Sequence, residues 1–401
     1  MTALHKCRTI MDMYPRSLKP LKSASFLLFG ARGTGKSTLV KSLYEGQSNL
    51  FIDLLIEENE FRFSNNPDDL YKMVDKKSNQ YDWVIIDEVQ KIPKLLDVAH
   101  RIIANPKIKT KLILTGSSAR KLKKGAANLL AGRAFANNLF PLTFLELGDD
   151  FLLDDYLKWG GLPGIYGFKE SEEKKEYLRS YCSTYMKEEV WSEQLIKDLA
   201  PFRRFLEIAS QMNGEIINFA KVSREVGCDN KTVQNYFSIL EDTLLGFQLD
   251  AYHTSARKRL IEKPKFYLFD CGVKRGLDKT LNVELQPETY AYGRAFEHFI
   301  ITQMFALSHY KRLDYSFFYL KTKDGAEIDL VIERPGKKIA IIEIKSAKRV
   351  DTADVKNLKI FAKDMHVKDV YCLSLDKMNR FEDGVNFKHW KNVFIDLGLT
   401  Q

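Results

Sequence analysis

The chain has 401 residues, 45% hydrophobic and 29% charged, with 62 Lys and Arg against 53 Asp and Glu for a formal net charge of +9. This is the composition of a soluble globular protein of two or three domains: no uncharged apolar run is long enough to span a membrane, and the first twenty residues lack the apolar core and cleavage site of a leader peptide. Five scattered cysteines without a C-x-x-C argue against a disulfide framework or zinc site and for a reducing cytoplasm, while the basic excess favours an anionic partner such as nucleic acid, although a solvated lysine-rich surface gives the same total.

Residues 1–148 alternate strand-like runs (26–29, 50–56, 83–87, 112–116 and 135–140) with helical stretches such as 68–75 and 94–103. This alternation predicts an α/β domain with a parallel sheet covered on both faces. The first strand leads into Gly30-Ala31-Arg32-Gly33-Thr34-Gly35-Lys36-Ser37, which fits the phosphate-binding pattern G-x-x-x-x-G-K-[ST] at every fixed position, and Thr38 continues into a helix. A strand, glycine loop and helix in that order aim backbone N–H groups and a positive helix end at phosphate. Lys36 is expected to reach the β- and γ-phosphates of ATP, and the Ser37 hydroxyl to ligate Mg²⁺.

The third run ends in Asp87-Glu88. Ligands of a parallel sheet bind beyond the carboxyl ends of its strands. Asp87 is therefore expected beside the glycine loop, holding Mg²⁺, with Glu88 as the base that orients and deprotonates an attacking water; the bland alternative is a helix cap or solvated turn. The fourth run ends in Thr115-Gly116-Ser117-Ser118, where Thr115 or Ser117 can read the γ-phosphate or a serine can cap the next helix.

Residues 149–270 read as a helical lid followed by a winged helix-turn-helix. The tract Phe219–Phe237 is a short helix, a turn at Gly227 and a second helix capped by Asp229 or Asn230. That second helix offers Asn230, Lys231, Gln234 and Asn235 to phosphates and base edges, which makes DNA a candidate partner. Runs 245–252 and 266–269 are the expected wing, with Arg257-Lys258-Arg259 between them. The alternative is a packing module within the lid.

Residues 271–401 read as a third, α/β domain. A helix from about 294 to 307 carries Glu297. Runs 326–333 and 339–345 form a hairpin around Arg334–Lys338. If Glu333 faces Ile339, alternation puts Asp329 directly across from Glu343, with Lys345 on the same face. Two carboxylates that close repel one another, and a divalent cation between them relieves this; Glu297 can complete the metal site, and Lys345 can stabilise developing negative charge. The alternative is a structural ion pair at the strand ends.

Taken with Asp87–Gln90, Thr115–Ser118, Leu130–Arg133, Pro141–Phe144 and Gly160–Pro163, these motifs resemble the prokaryotic AAA-type P-loop ATPases that carry a C-terminal domain of unknown function related to PD-(D/E)xK nucleases. The resemblance spans nearly the whole chain. It implies ATP binding, a regulatory lid with a winged helix, a restriction-endonuclease-like C-terminal fold and action on DNA. It also offers Arg133 as a γ-phosphate-sensing arginine, in its own subunit or in a neighbour's within a homo-oligomer, or else as a structural ion pair. The competing reading is a nucleotide switch that binds DNA or a partner protein without cutting it.

Overall fold

The computed structural model describes residues 14–76, 80–117, 132–185, 199–253, 262–322 and 325–400. The chain divides into two compact units, one of Met1–Leu142, Leu162–Gly167 and Ser238–Leu245, the other of Thr143–Gly161, Phe168–Phe237 and Gly246–Gln401.

The first unit is built on strands β1 (Phe26–Phe29), β2 (Asn49–Asp53), β3 (Trp83–Asp87), β4 (Lys111–Gly116) and β5 (Phe135–Asn138), in the order β2-β3-β4-β1-β5. All neighbours run parallel. Every residue of β1 and β3 is buried, which is why both read as unbroken apolar runs rather than alternating ones. Helix Leu95–Ala104 buries Leu95, Val98, Ala99 and Ile102, the spacing of one helix face. These pack with Leu27, Ile52, Val84, Ile86 and Leu112 in a common core. Burying such a side chain stabilises by roughly 1.5–3 kcal/mol, so the sheet is a firm platform for the loops at its carboxyl edge.

β2 stops at Asp53, three residues short of the expected strand end. Its partner β3 ends at the same level, with Asp53 paired to Asp87, and Leu55 and Ile56 beyond it are exposed. β4 lies between β1 and β3, so the tip of β4 separates the glycine loop after β1 from the carboxylates ending β3.

Helices Phe219–Val226 and Asn230–Asp242, the latter assigned to the second unit as far as Phe237, flank Gly227, which sits in the left-handed region at φ 80°. Asp229 caps the second helix, its Oδ1 accepting from Thr232 N at 2.9 Å. The sheet of this unit contains β6 (Gly246–Ala251), β7 (Lys265–Leu268), β8 (Ser316–Lys321), β9 (Glu327–Glu333), β10 (Ala340–Ile344), β11 (Asp369–Ser374), β12 (Arg380–Glu382) and β13 (Val385–His389). Their order is β12-β13-β11-β10-β9-β8-β6-β7.

This changes the expected domain picture. β6 and β7, read from sequence as a wing, do pair antiparallel. On its other edge, however, β6 pairs in parallel with β8, so the expected division at 270/271 falls within one compact unit and one continuous sheet. An unpaired strand edge recruits any strand brought alongside it, and that partnership spans far more sequence than a local reading covers.

The hairpin β9–β10 has the offset that alternation predicts, with Ile332 facing Ala340, Val331 facing Ile341 and Leu330 facing Ile342. One step further sets Asp329 across from Glu343. The helix carrying Glu297 runs from Tyr290 to Lys311, longer than expected at both ends, and Thr289 caps it by accepting from Tyr292 N at 3.2 Å. Among the described residues, no helix is long and apolar enough to cross a membrane.

Candidate nucleotide site and acidic centre

At the end of β1 the chain turns through Gly30, where a Cβ would stand 2.5 Å from the Leu139 carbonyl oxygen and 2.9 Å from Thr34 Oγ1. No side chain fits there. Gly33 and Gly35 follow at φ 74° and 91°, a conformation that costs a residue with a Cβ roughly 1–2 kcal/mol. Lys36 opens the next helix and is buried; its Nζ donates to the carbonyls of Gly30 at 2.8 Å and Ala31 at 3.3 Å. The loop therefore wraps its own lysine, which holds the ammonium where a phosphate would meet it. Ala31 and Thr34 face inward, while Arg32, Gly33 and Thr38 are exposed.

Arg16, which sequence reasoning missed, braces this loop by donating from Nη1 to the Thr34 carbonyl and from Nη2 to the Phe140 carbonyl, each at 2.6 Å. It lies well upstream of any motif, and nothing in its neighbourhood announces the contact.

The carboxylates ending β3 meet the loop through the tip of β4. Buried Asp87 accepts from Ser37 Oγ on Oδ2 at 2.6 Å and from Thr115 Oγ1 on Oδ1. Thr115 Oγ1 in turn accepts from Glu88 N at 3.2 Å. One hydroxyl thus fixes the metal-binding and water-activating candidates together, within its capacity of one donated and two accepted bonds. Glu88 is left-handed at φ 61°, strain of a kind that persists where its surroundings over-determine it. Gln90 Nε2 donates to Glu88 Oε2 and, at 2.9 Å, to Ser117 Oγ. Gln90 is a second residue that sequence reasoning gave no role. An oxygen pair of Ser37 and Asp87 at hydrogen-bond distance fits a Mg²⁺ ion held directly or through water.

Arg133 is placed differently from its expectation. It precedes β5, whose Phe135 pairs with Phe26 and whose Asn138 pairs with Phe29. It therefore lies at the amino edge of a parallel sheet whose glycine loop is at the carboxyl edge. Five residues separate Arg133 from Asn138, roughly 16 Å at about 3.3 Å per residue. Its guanidinium contacts His100 Nε2 instead. At that edge it stands away from the glycine loop of its own chain. Ser118, Leu130 and Ala131 lie outside the described residues.

The second unit gathers Asp329, Glu343, Lys345 and Glu297 into one electrostatic centre. Asp329 Oδ2 accepts from Ile344 N at 2.7 Å. Glu343 Oε1 accepts from Lys345 Nζ at 2.7 Å, while Glu343 Oε2 is buried and has no partner among the described residues. Burial raises the Asp329 carboxyl well above the usual range, and Glu343 and Glu297 add to this against the opposing pull of Lys265 and the Ile344 amide. Glu343 is raised by burial too, with Glu297 and Glu327 reinforcing the effect and Lys345 countering it. Burial would lower Lys345, but Glu343 and Asp329 outweigh it and hold the ammonium protonated. The orphaned Glu343 oxygen beside a second carboxylate is the donor chemistry a hard divalent cation prefers. Among the described residues, no three His, Cys, Asp or Glu side chains form a ready metal cage.

Sequence reasoning missed the other half of this centre. Buried Lys265 on β7 stands 2.5 Å from Glu327 Oε1 and 3.8 Å from Glu297 Oε1. Tyr267 donates its hydroxyl to Glu297 Oε1 at 2.6 Å. The expected ligand Glu297 is thus already engaged by protein groups.

On the helix-turn-helix, Val222, Val226, Val233 and Phe237 are buried, while Lys221, Arg224, Lys231 and Gln234 are exposed and Asn235 is half-buried. The basic run Arg257-Lys258-Arg259 lies outside the described residues.

Three family models match the chain in succession. Residues 22–148 match one described as an AAA domain. Residues 150–284 and 292–391 match two described as domains of unknown function, DUF8612 and DUF4143. Residues 22–148 are a P-loop domain of the AAA type. An uncharacterized protein of Mycobacterium tuberculosis is 26% identical over 317 residues, covering 78% of this chain and 68% of its own length. An uncharacterized protein of Haemophilus influenzae is 22% identical over 395 residues, covering 92% and 93%. Among solved structures, the ORC2 protein of Aeropyrum pernix aligns over 65% of this chain and 87% of its own at 13% identity, with a TM-score of 0.35. A STAND-type signal-transduction ATPase of Pyrococcus horikoshii aligns over 76% and 49% at 15% identity, with a TM-score of 0.24. What identifies the P-loop domain is the family match together with the geometry around Gly30, Lys36 and Asp87.

Proposed function

We propose that this chain is a cytoplasmic Mg²⁺-dependent ATPase whose winged helix-turn-helix binds DNA and whose acidic centre is a restriction-endonuclease-like site for phosphodiester cleavage. The observation that carries the ATPase reading is the Ser37–Asp87–Thr115–Glu88 network, which joins the glycine loop to two carboxylates through the interposed tip of β4. The loop amides and Lys36 grip the triphosphate. Glu88 takes the proton of the attacking water as its oxygen bonds the γ-phosphorus and the bond to the β–γ bridging oxygen breaks. Ser37 and Asp87 hold Mg²⁺, which when bound supplies positive charge to the phosphate oxygens. Arg133, exposed at the amino edge, would serve a neighbouring copy's site in a homo-oligomer.

For DNA cleavage, Asp329 and Glu343 would hold the divalent cation, and Lys345, paired to Glu343, would stabilise charge developing on phosphorus. The parent, Lys36→Ala and Asp329→Ala proteins compared on supercoiled and linear DNA with Mg²⁺ or Mn²⁺ test both activities. ATP hydrolysis should vanish in Lys36→Ala alone and cleavage in Asp329→Ala; intact plasmid with every protein removes the nuclease.

A second reading is a non-cleaving nucleotide switch. It is favoured by the balance of the acidic centre, where Glu297, Glu327, Asp329 and Glu343 face Lys265, Arg294, Lys321 and Lys345. Four cations against four carboxylates can close the centre without a metal. This reading predicts ATP-dependent DNA binding that weakens steeply with salt.

A further inference from the structure

The acidic centre has two unequal sides. On one, Glu297 and Glu327 are saturated: Glu297 Oε1 accepts from Tyr267 and faces Lys265, its Oε2 lies 3.7 Å from Arg294, and Glu327 is held by Lys265 at 2.5 Å and Lys321 at 2.8 Å. On the other, beside Asp329, Glu343 Oε2 is buried without a partner among the described residues. Lys265 is the group common to the saturated side, with a side chain only 3% exposed. A buried ammonium is retained only where carboxylates surround it, and Lys265 meets both Glu297 and Glu327.

We propose that Lys265 is the resident counter-cation of the acidic centre, filling with its ammonium the Glu297/Glu327 side that a further divalent cation would otherwise occupy. This rests on reading the centre as a cation site. The cation belongs at the Asp329/Glu343 end, and Glu297 is a positioning residue for Lys265 rather than a metal ligand.

The test counts Mn²⁺ ions on the full chain by equilibrium dialysis without nucleotide. The count in an Asp329→Asn/Glu343→Gln double variant is subtracted, which removes ions held by the glycine loop. Lys265→Met is expected to gain one ion over the parent, Lys265→Met/Glu297→Gln to lose it again, and Lys265→Arg to match the parent. A folded Lys265→Met protein with no gain overturns the proposal. Should Lys265→Met fail to fold, Glu297→Gln in the parent background decides. It should leave Mn²⁺ number and affinity within about two-fold, and the loss of an ion would assign Glu297 as a ligand and refute the role given to Lys265. A parent that holds no Mn²⁺ at the centre, beside a Lys265→Met protein that holds one, upholds Lys265 as the excluding group while removing the Asp329/Glu343 ion. No ion in either removes both.

Discussion

Thr115→Val tests whether the tip of β4 positions the candidate carboxylates Asp87 and Glu88 or reads the nucleotide. Valine keeps nearly the shape of the fully buried threonine but deletes the hydroxyl that donates to Asp87 and accepts from Glu88 N at 3.2 Å. A hydrogen bond to a charged group is worth about 1.5–3 kcal/mol, and a buried N–H left without an acceptor costs about 1–3 kcal/mol. The two losses share one network and do not add fully. Taking the charged bond alone, kcat should fall about 10- to 150-fold, at about 1.4 kcal/mol per decade. The Ser37–Asp87 bond at 2.6 Å survives, so MgADP and MgATP affinities should fall equally and by less than about ten-fold. Steady-state phosphate release gives the first quantity and calorimetry with each nucleotide the second, with Thr115→Ser expected to restore activity. A folded Thr115→Val protein with kcat within two-fold of the parent would refute the positioning role. A selective loss of ATP over ADP affinity would move Thr115 from holding Asp87 to sensing the γ-phosphate.

Lys36→Ala removes an ammonium held over two loop carbonyls and should weaken MgATP binding at least about 100-fold, since two charge-assisted bonds to phosphate are worth about 3 kcal/mol or more together; calorimetry reads this directly. Burial lowers His298 from 6.5 to about 4, despite its bond to the Leu268 carbonyl. The unfolded chain then binds more protons between those values, so about 3 kcal/mol of stability present above pH 6.5 is lost as pH falls to 4, and urea melts of His298→Gln should lack that acid limb. Burial raises Asp270 from 3.8 to about 6, which has the opposite sign: stability is full below 3.8 and lost as pH rises through 6. Asp270→Asn should therefore steepen the net rise of stability with pH over that window. Gly160→Ala should destabilise the second unit by about 1–3 kcal/mol in the same melts, because φ is 78° and a Cβ would stand 2.1 Å from Asp270 Oδ1.

Much of the P-loop domain was legible because its signals are local. Apolar runs buried on both faces read as parallel strands, and the glycine loop carries its backbone requirements in its own residues: Gly30 where no Cβ fits, and Gly33 and Gly35 in the left-handed region. Strand order carries no such signal. That β4 stands between β1 and β3 is decided by packing across the sheet, and with it the fact that Thr115 clasps Asp87. Arg133 lies apart from the glycine loop of its own chain for a different reason. The carboxyl-edge rule that puts Asp87 beside the loop, applied equally to β5, puts a residue preceding that strand on the far edge.

The acidic centre divides the same way. Alternation and a short turn suffice to bring Asp329 opposite Glu343, since a register error of one residue would turn Ile328, Leu330 and Ile332 out of the core, where all three are completely buried. Nothing local brings in Lys265. It comes from a strand about sixty residues earlier that joins the sheet only because β6 pairs with β8, and it alters the meaning of the motif. A carboxylate pair alone predicts a demand for external cations. A carboxylate pair with a buried lysine beside it has met part of that demand from within the chain, and the strand that supplies the lysine reaches the sheet through β6, which follows the second of the two helices around Gly227. Whatever draws β7 away from the sheet would therefore remove a cation from the centre as well as an edge strand.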